Sequence, residues 1–538
     1  MQSTGVGFFF LILPRVEFLK NAPHRFNRKD KSMKDKKRFF YNGILLTAVG
    51  IAMRTVALFF NAFITRTVGA EGVGLYTIIM TVYNFAVTFA TSGISLTVTR
   101  LVAAAKGEGK GEQVPKILSG AVIYALIFSV IATATLLFGA DFFAKGILAD
   151  ERAAASLRIL SPSLIPLALI SVFSGYFVGI RKVGFNAATQ ILGQIFKISV
   201  TVWLVIRTSS LAVEKSAFAL SLGTTITEIL CFLVILLEFL IERRGAIMSS
   251  GAEIKGVSAV AMPLAVSAYI RQALLTVEHI LIPKRLRSRG DSVSESLSAY
   301  GTLHGMALPM VLYPMTTLSS FSGLLVPEFA ERSARMDDAA MRRLASRAFS
   351  VTLIYATLIS SLLLVFSEEL GYVIYNSGAA GTYIAILAPV VPIMYLDHVT
   401  DSVLKGIGEQ VYSMWVNITD SLLSIVLVWF LIPRMGIMGY AVCIIAMEAY
   451  NFILSAIRLF SKIRFGISLR KSLLYPLLSA SASALISKKI FVSAGAMTSA
   501  LWMTLEIVFA VCLFFGVYNV ILLLESLIVS RKGLKAGI

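Results

Sequence analysis

Apolar runs of about twenty residues, the length that crosses the hydrocarbon of a bilayer as a helix, recur along nearly the whole chain. They predict membrane helices over 40–65, 74–98, 117–139, 158–180, 184–206, 216–241, 256–283, 299–326, 347–367, 381–404, 411–432, 436–459, 472–491 and 499–524. Serines dilute the run at 472–491 more than any other. Joints as short as Arg181-Lys182 and Arg434 make neighbouring helices antiparallel. Composition supports the pattern: 57% of the 538 residues are hydrophobic and 15% are charged, with a mean hydropathy of +0.81, against roughly 25% charged in a soluble domain. The pattern begins only near Lys34. Phe8–Leu13 is too short to span, and neither a preceding charge nor a small-residue cleavage site marks it as a signal peptide. Residues 1–36 are expected to form a disordered basic tail, with Met33 an alternative start.

The pattern repeats. Ile159-Leu160-Ser161-Pro162 is echoed by Ile386-Leu387-Ala388-Pro389, with a second proline after each at Pro166 and Pro392. At the same offset Gly179-Ile180 matches Gly406-Ile407, and Met53-Arg54 aligns with Ile270-Arg271. The parsing is an all-α membrane protein of about fourteen helices. It has an N-lobe over 37–245, a C-lobe over 246–465, and two extra helices with a tail over 466–538. An even number of spans per unit gives parallel repeats around a central cavity, the plan of an alternating-access carrier.

Charge refines this picture. The net charge of +19 could suggest nucleic acid. The basic residues, however, occupy short loops between spans, and no basic face with interleaved aromatics lies outside them. With both termini cytoplasmic, inward segments carry about twice as many Lys and Arg as outward ones, and the one discordant loop is Lys284–Arg289. The chain is therefore expected in the cell membrane. Cys231, Cys443 and Cys512 all fall in apolar runs and read as buried thiols. Gly107–Gly111 lacks the Gly-Lys-Ser/Thr ending of a phosphate-cradling loop. No enzymatic constellation and no ATP-driven pump are expected.

Inside the spans, polar residues line up at helical spacing. Thr47, Gly50, Arg54, Asn61 and Thr65 share a face of span one. Asn84, Thr88, Thr91, Ser95 and Thr99 do so in span two, and Asn186, Gln190, Gln194, Lys197 and Thr201 in span five. Ser267, Arg271 and Glu278 form a stripe in span seven. Charges at membrane depth are costly and mark wet cavities or partners. Arg54, Lys197 and Arg271 lack matching carboxylates at comparable depth, so an anionic ligand is expected, with phosphate or diphosphate leading. Asn61, Asn84 and Gln194 would help to bind it. The alternatives are local pairs, Arg271 with Glu278 and Lys197 with Glu228.

Carboxylates concentrate in the second half. Asp397 and Asp401 lie one turn apart around His398 and could relay protons or cations; the alternative is an Asp401–Lys405 pair at the interface. Glu278, Asn417 and Asp420 could offer oxygens to Na⁺. No other cofactor is expected, and coupling is left open between Na⁺ and H⁺. His304 reads as a satisfied interior histidine, and Glu448 and Glu506 as acids packed against polar neighbours.

Lys37-Arg38-Phe39-Phe40-Tyr41-Asn42-Gly43, the turn Gly69-Ala70-Glu71-Gly72-Val73-Gly74-Leu75-Tyr76, Thr91-Ser92-Gly93-Ile94-Ser95 and Leu101-Val102-Ala103 together carry a resemblance. Over about residues 36–525 the chain resembles the multidrug/oligosaccharidyl-lipid/polysaccharide exporter superfamily. Within it, the polysaccharide-biosynthesis branch of the stage V sporulation protein B type is the nearest, related to the lipid II flippases. The resemblance implies a V-shaped, two-lobed carrier that flips undecaprenyl-diphosphate-linked oligosaccharide outward, with the extra helices forming a groove for the polyprenyl tail. It implies a diphosphate-binding role for Arg54. It also implies a C-lobe Na⁺ site, for which Glu278, Asn417 and Asp420 are the nearest match, although the Asn-to-Asp spacing is one residue shorter than in such relatives. No equivalent of a second-span cavity arginine is present, since Arg100 sits at a helix end. The protein is expected to act as a monomer among membrane lipids, with cell-envelope synthesis proteins as further partners. A cation-coupled multidrug antiporter of the same superfamily is the competing reading, and a non-transporting envelope scaffold is a third.

Overall fold

A computed structural model describes residues 31–180, 182–208, 212–243, 253–493 and 500–536, and what is said of absences below concerns these residues. In lipid every backbone N–H and C=O must find its partner within the segment, and the described chain is accordingly helical almost throughout. The N-lobe comprises α1 (Lys31–Thr91), α2 (Ile94–Gly107), α3 (Val114–Phe138), α4 (Ala153–Leu160), α5 (Leu164–Gly179), α6 (Val183–Thr208) and α7 (Val213–Arg243). The C-lobe follows with α8 (Ile254–Arg287), α9 (Val293–Tyr300), α10 (Leu308–Leu312), α11 (Met315–Ala334), α12 (Asp338–Val365), α13 (Ser367–Tyr375), α14 (Gly378–Leu387), α15 (Val391–Gly406), α16 (Gln410–Met435) and α17 (Ile437–Lys462). The helices α18 (Tyr475–Ser493) and α19 (Ala500–Ala536) close the chain.

Eleven helices are long and apolar enough to cross a membrane, which makes this a multi-pass membrane protein. The expected count of fourteen is not reached by that measure, for physical reasons. Spans one and two share α1, which is broken only by the left-handed backbone of Gly69 (φ 79°). Span eight is divided: α9 runs into a π-helical turn at Gly301–Ala307, then into α10 and α11. The serine-diluted α18 falls outside the set.

The repeat is visible in the packing. Ser161–Ser163 forms a 3-10 turn between α4 and α5, and Ala388–Val390 forms one between α14 and α15. The echoed prolines, each at the start of its turn, account for both breaks. Contacts correspond as well: α2 packs on α5 as α11 on α15, α3 on α5 as α12 on α15, and α6 on α7 as α16 on α17. The matched glycines sit at one of these crossings. A Cβ on Gly179 would lie 3.1 Å from Thr99 O and Val102 Cβ in α2, and one on Gly406 2.8 Å from Phe329 Cβ and 2.9 Å from Val326 O in α11. The helices α18 and α19 pack on each other and against α12 and α13 of the C-lobe.

Between the lobes the backbones touch. A Cβ on Gly74 of α1 would overlap the Leu297 carbonyl of α9, and one on Gly301 would overlap the Ala70 carbonyl. Gly74→Ala is therefore expected to destabilise this arrangement by about 1–3 kcal/mol through overpacking, read as a lowered thermal midpoint of the purified protein. Gly107→Ala, where a Cβ meets open space, should leave the midpoint unchanged.

Candidate functional site

The lobes meet along a polar seam beside the Gly74 contact. Arg152 Nη1, just before α4, donates to Glu71 Oε1 at 2.7 Å, and Ser294 Oγ of α9 donates to Glu71 Oε2 at 2.7 Å. Arg152 is also forked onto Asp150 at 2.8 and 2.9 Å. Its hydrogen bonds to Asp150, outweighing burial, hold the guanidinium above its usual range, so it remains charged. Arg287 of α8 caps the carbonyls of Leu148 and Ala149 at 3.3 and 2.8 Å, and Arg66 Nε donates to Ile374 O at 2.8 Å. Deeper along α1, Asn61 Nδ2 donates to Gly305 O at 3.2 Å and the Thr55 hydroxyl meets Tyr313 OH at 2.6 Å. The discordant basic loop thereby gains a role: Arg287 closes the seam, while Arg285 lies 3.9 Å over the Trp429 ring and donates to its carbonyl.

The helix α8 belongs to both lobes. One face leans on the N-lobe: Tyr269 OH bonds Ser92 Oγ and stacks on Phe89 at 5.3 Å, and Glu253 N donates to Lys116 O at 3.1 Å. The opposite face carries Ser267, Arg271 and Glu278, which share it at spacings of four and seven. At Glu278 this face is buried against α16, where Ser424 Oγ donates to Oε1 at 2.6 Å. At Arg271 and Ser267 it is exposed. Beyond Glu278, where α8 leaves α16, this face is uncovered.

The expected site residues have different surroundings. Arg271 is exposed and makes no ion pair, and Glu278 engages Ser424 instead of Arg271. Lys197 is half-buried without an ion pair or hydrogen bond, and the carboxylate whose charge reaches it is Glu228. Asn84 is exposed and Gln194 half-buried, and neither side chain has a hydrogen-bond partner. Arg54 lies in α1 seven residues before Asn61, and its side chain lies outside the described residues. The Asn61 amide is committed to the seam.

Most hydroxyls of the span-two stripe are also committed. Thr88, Thr91 and Thr99 donate to carbonyls one turn back in their own helices, the usual recourse of threonine in a helix. Cys231 and Cys443 are buried as expected, but Cys512 is exposed on α19, which has few partners to cover it. His304 is not satisfied as expected: its ring stacks on Tyr300 at 5.2 Å, yet Nδ1 is buried without a partner.

In the C-lobe, Asp401 takes a hydrogen bond from Ser413 and pairs with Lys405 at 3.5 Å, the local pair weighed above. Asp397 lies in the field of Asp401, Glu448 and Asp420, and Asp420 in that of Glu278. Asp397 Oδ1 and Asp420 Oδ1 are both buried without hydrogen bonds. Of the set expected for Na⁺, Asn417 turns its amide nitrogen to Ser413 O at 2.7 Å and Glu278 accepts from Ser424, while Asp420 Oδ1 is buried without a hydrogen bond.

The profile of the family described as "Polysaccharide biosynthesis protein" matches residues 39–333, more than half of the chain. The chain belongs to the polysaccharide biosynthesis protein family. A second profile, MatE, matches residues 294–430. The chain is similar to stage V sporulation protein B of Bacillus subtilis (strain 168), 25% identical over 420 residues that cover 76% of this chain and 81% of that one. It is also similar to sporulation protein YkvU of the same organism, 21% identical over 360 residues, covering 65% and 79%. Among solved structures it shares the fold of lipid II flippase MurJ in an inward closed conformation, with a TM-score of 0.68, 16% identity, and 89% and 98% of the two chains covered. An inward-facing multidrug resistance MATE family transporter of the MOP superfamily gives 0.61, 14% identity, and 77% and 98%. The family and its fold are thus those of membrane transporters, in accord with the resemblance carried by the Gly69–Tyr76 turn. That turn stands at the seam.

Removing Arg152 leaves the buried Asp150 and the half-buried Glu71 without their cation, at a cost of roughly 1–3 kcal/mol. In Arg152→Ala the seam is expected to open more often. The check is a Leu297→Cys reporter in a Cys512→Ala background, which should react faster with a water-soluble thiol reagent when Arg152 is absent.

Proposed function

We propose that the protein flips an undecaprenyl-diphosphate-linked oligosaccharide, lipid II or a related cell-wall or polysaccharide precursor, across the cytoplasmic membrane by alternating access. The observation that carries this reading is Arg271. It is an exposed arginine without an ion pair on an apolar span, on the same helical face as the buried Glu278, and in this reading that face lines the gap between the lobes. A cation held there without a protein partner suits an anionic visitor, and a guanidinium fork matches phosphate oxygens. Lys197 and Arg54 would add to the diphosphate site, with Asn84 and Gln194 as neutral donors. Asn61 has a different place in this reading, tying α1 to Gly305 when the seam is closed. The names of the relatives, which speak of sporulation and of lipid II, are consistent with a cell-envelope lipid as cargo. The working unit would be a single chain with both termini cytoplasmic, in contact with cell-envelope synthesis proteins.

The decisive experiment is depletion of the protein followed by identification of the undecaprenyl-linked intermediate that accumulates. Arg271→Ala should lose roughly 1.5–3 kcal/mol of diphosphate binding, about ten- to a hundredfold, and fail to clear that intermediate. Arg271→Lys should clear part of it. Full clearance by both Arg271→Ala and Arg54→Ala would sink the diphosphate reading.

A cation-coupled multidrug antiporter is the second reading, favoured by the MatE match over 294–430. It needs an intramembrane acid for the drug cation. The acids nearest to such use, Asp397 and Asp420, lie in the C-lobe, and we assign them to coupling. Neighbouring carboxylates that cannot all be ionised together hold protons in common. Asp397→Asn is accordingly expected to leave substrate binding intact and to abolish the response of transport to a pH gradient, whereas a Na⁺ gradient should have no effect in either protein. Transport indifferent to pH in the unaltered protein would remove this role.

A further inference from the structure

A second cationic site lies outside the gap between the lobes. A cavity of about 520 Å³ is lined by Arg342, Arg343 and Arg347 from the first turns of α12, by Arg464 just past α17, and by Ser346 and Phe465. No carboxylate lines it. All four arginines are exposed, and none makes a hydrogen bond or ion pair within the protein.

Basic residues close by in sequence behave otherwise. Arg332 pairs with Glu328 and Arg335 with Glu331, Arg458 and Lys462 share Glu409, and Arg470 and Lys471 share Glu525. Carboxylates neutralise the basic residues on either side, and the four around the cavity are left. Asp338, the acid nearest in sequence, makes no ion pair with Arg342 four residues on, and Asp337 spends its carboxylate on the Ala340 N–H at the start of α12.

The cavity is built and its walls are held. Ser346 Oγ donates to Gly466 O at 2.7 Å, fastening the chain that follows α17 onto α12. Phe465 stacks on Phe460 at 4.7 Å and meets Phe349 edge-on at 4.9 Å, which gives the site an apolar floor. It also stands at a defined level. Asp338–Val365 and Ile437–Lys462 are both apolar spans, and the arginines occupy the beginning of one and the end of the other, where lipid headgroups lie. Four guanidiniums around an apolar floor match a headgroup phosphate above an acyl chain, each fork able to take two oxygens.

We propose that this cavity binds the phosphate of an anionic membrane lipid. The proposal is independent of the transport reading, since no residue of the inter-lobe gap lines the cavity. The competing explanation is that the arginines act only as topology signals on the cytoplasmic side. Replacement by lysine separates the two, because it keeps the charge and removes the fork.

The test uses the full chain purified in zwitterionic detergent, with phosphatidylglycerol or cardiolipin as probe, phosphatidylcholine as control, and inorganic pyrophosphate as the soluble arm. Native mass spectrometry should find anionic lipid retained on the unaltered protein, with the thermal midpoint raised by about 2 °C or more. The combined Arg342→Gln, Arg343→Gln, Arg347→Gln and Arg464→Gln variant should bind about tenfold more weakly, the four-lysine variant should fall between, and Arg207→Gln at a distant helix end should match the unaltered protein. Pyrophosphate that stabilises as well as the lipid, and does so through the same arginines, would assign the site to a soluble phosphate compound. Should the fourfold variant fail to fold, Arg343→Gln and Arg464→Gln singly carry the comparison. Equal retention of anionic lipid by the unaltered and arginine-free proteins, or full binding by the lysine variant, would overturn the proposal.

Discussion

Everything in the arrangement of the two lobes depends on the backbone-to-backbone contact of Gly74 with Leu297 and of Gly301 with Ala70. Lipid tails are as apolar as leucine, so helices in a membrane are drawn together by close packing of small residues and by hydrogen bonds. With any side chain at these glycines α1 and α9 would stand apart, and the bonds that surround the contact, from Glu71 to Ser294 and from Asn61 to Gly305, would exceed hydrogen-bonding distance. Further along α8, beyond Glu278, Arg271 stands exposed.

The same low-dielectric constraint governs where each polar group goes. A hydroxyl in a membrane helix can be satisfied at no cost in tertiary structure by donating to the carbonyl one turn back, as Thr88 and Thr99 do. An amide has longer reach and more valences, so Asn61 crosses to the other lobe and Asn186 accepts from Ser174. An arginine cannot be satisfied by one carbonyl. It ends up forked onto acids, as Arg152 is on Asp150 and Glu71, or capping chain ends, as Arg287 does, or open, as Arg271 is. Among the described residues, the charged groups of the spans left without a hydrogen bond include Arg271 and Lys197, and Asp397 Oδ1 and Asp420 Oδ1 in the C-lobe.

This accounting also explains what was legible in the sequence. The duplication could be read because Pro162 and Pro389 stand at corresponding helix breaks, and because Gly179 and Gly406 face a crossing that each lobe makes in the same way. The polar stripes were correctly periodic, but periodicity identifies a face and not its partner. Nothing in the spacing of Asn61 shows that Gly305 is opposite, nor does that of Glu278 show that Ser424 takes it before Arg271 can. The division of span eight was hidden for a related reason. Its residues are apolar enough for a continuous helix, and it is the tight passage of Gly301 and Gly305 along α1 that accompanies the π-helical turn. Arg285 and Arg287 looked discordant because charge counting treats each loop arginine as solvated, while these two are tied to Trp429 and to the chain before Asp150.

The chemistry of the seam bears on whether such a molecule could work by opening and closing. Beside the buried apolar contacts of Leu75, Leu297 and Leu303, this interface has glycine contacts and a rim of hydrogen bonds, each worth about 0.5–1.5 kcal/mol net when water can replace the partner. Glu71, Arg152 and Ser294 stand at the rim, where water reaches them as the lobes part. Asn61 and Thr55 lie deeper and would be released last. Parting the lobes from the rim inward would thus exchange each polar contact for water in turn, and no carboxylate or guanidinium of the rim would be stranded in lipid. In the proposed cycle such a seam would define one closed state and would part when an anion occupies the Arg271 face.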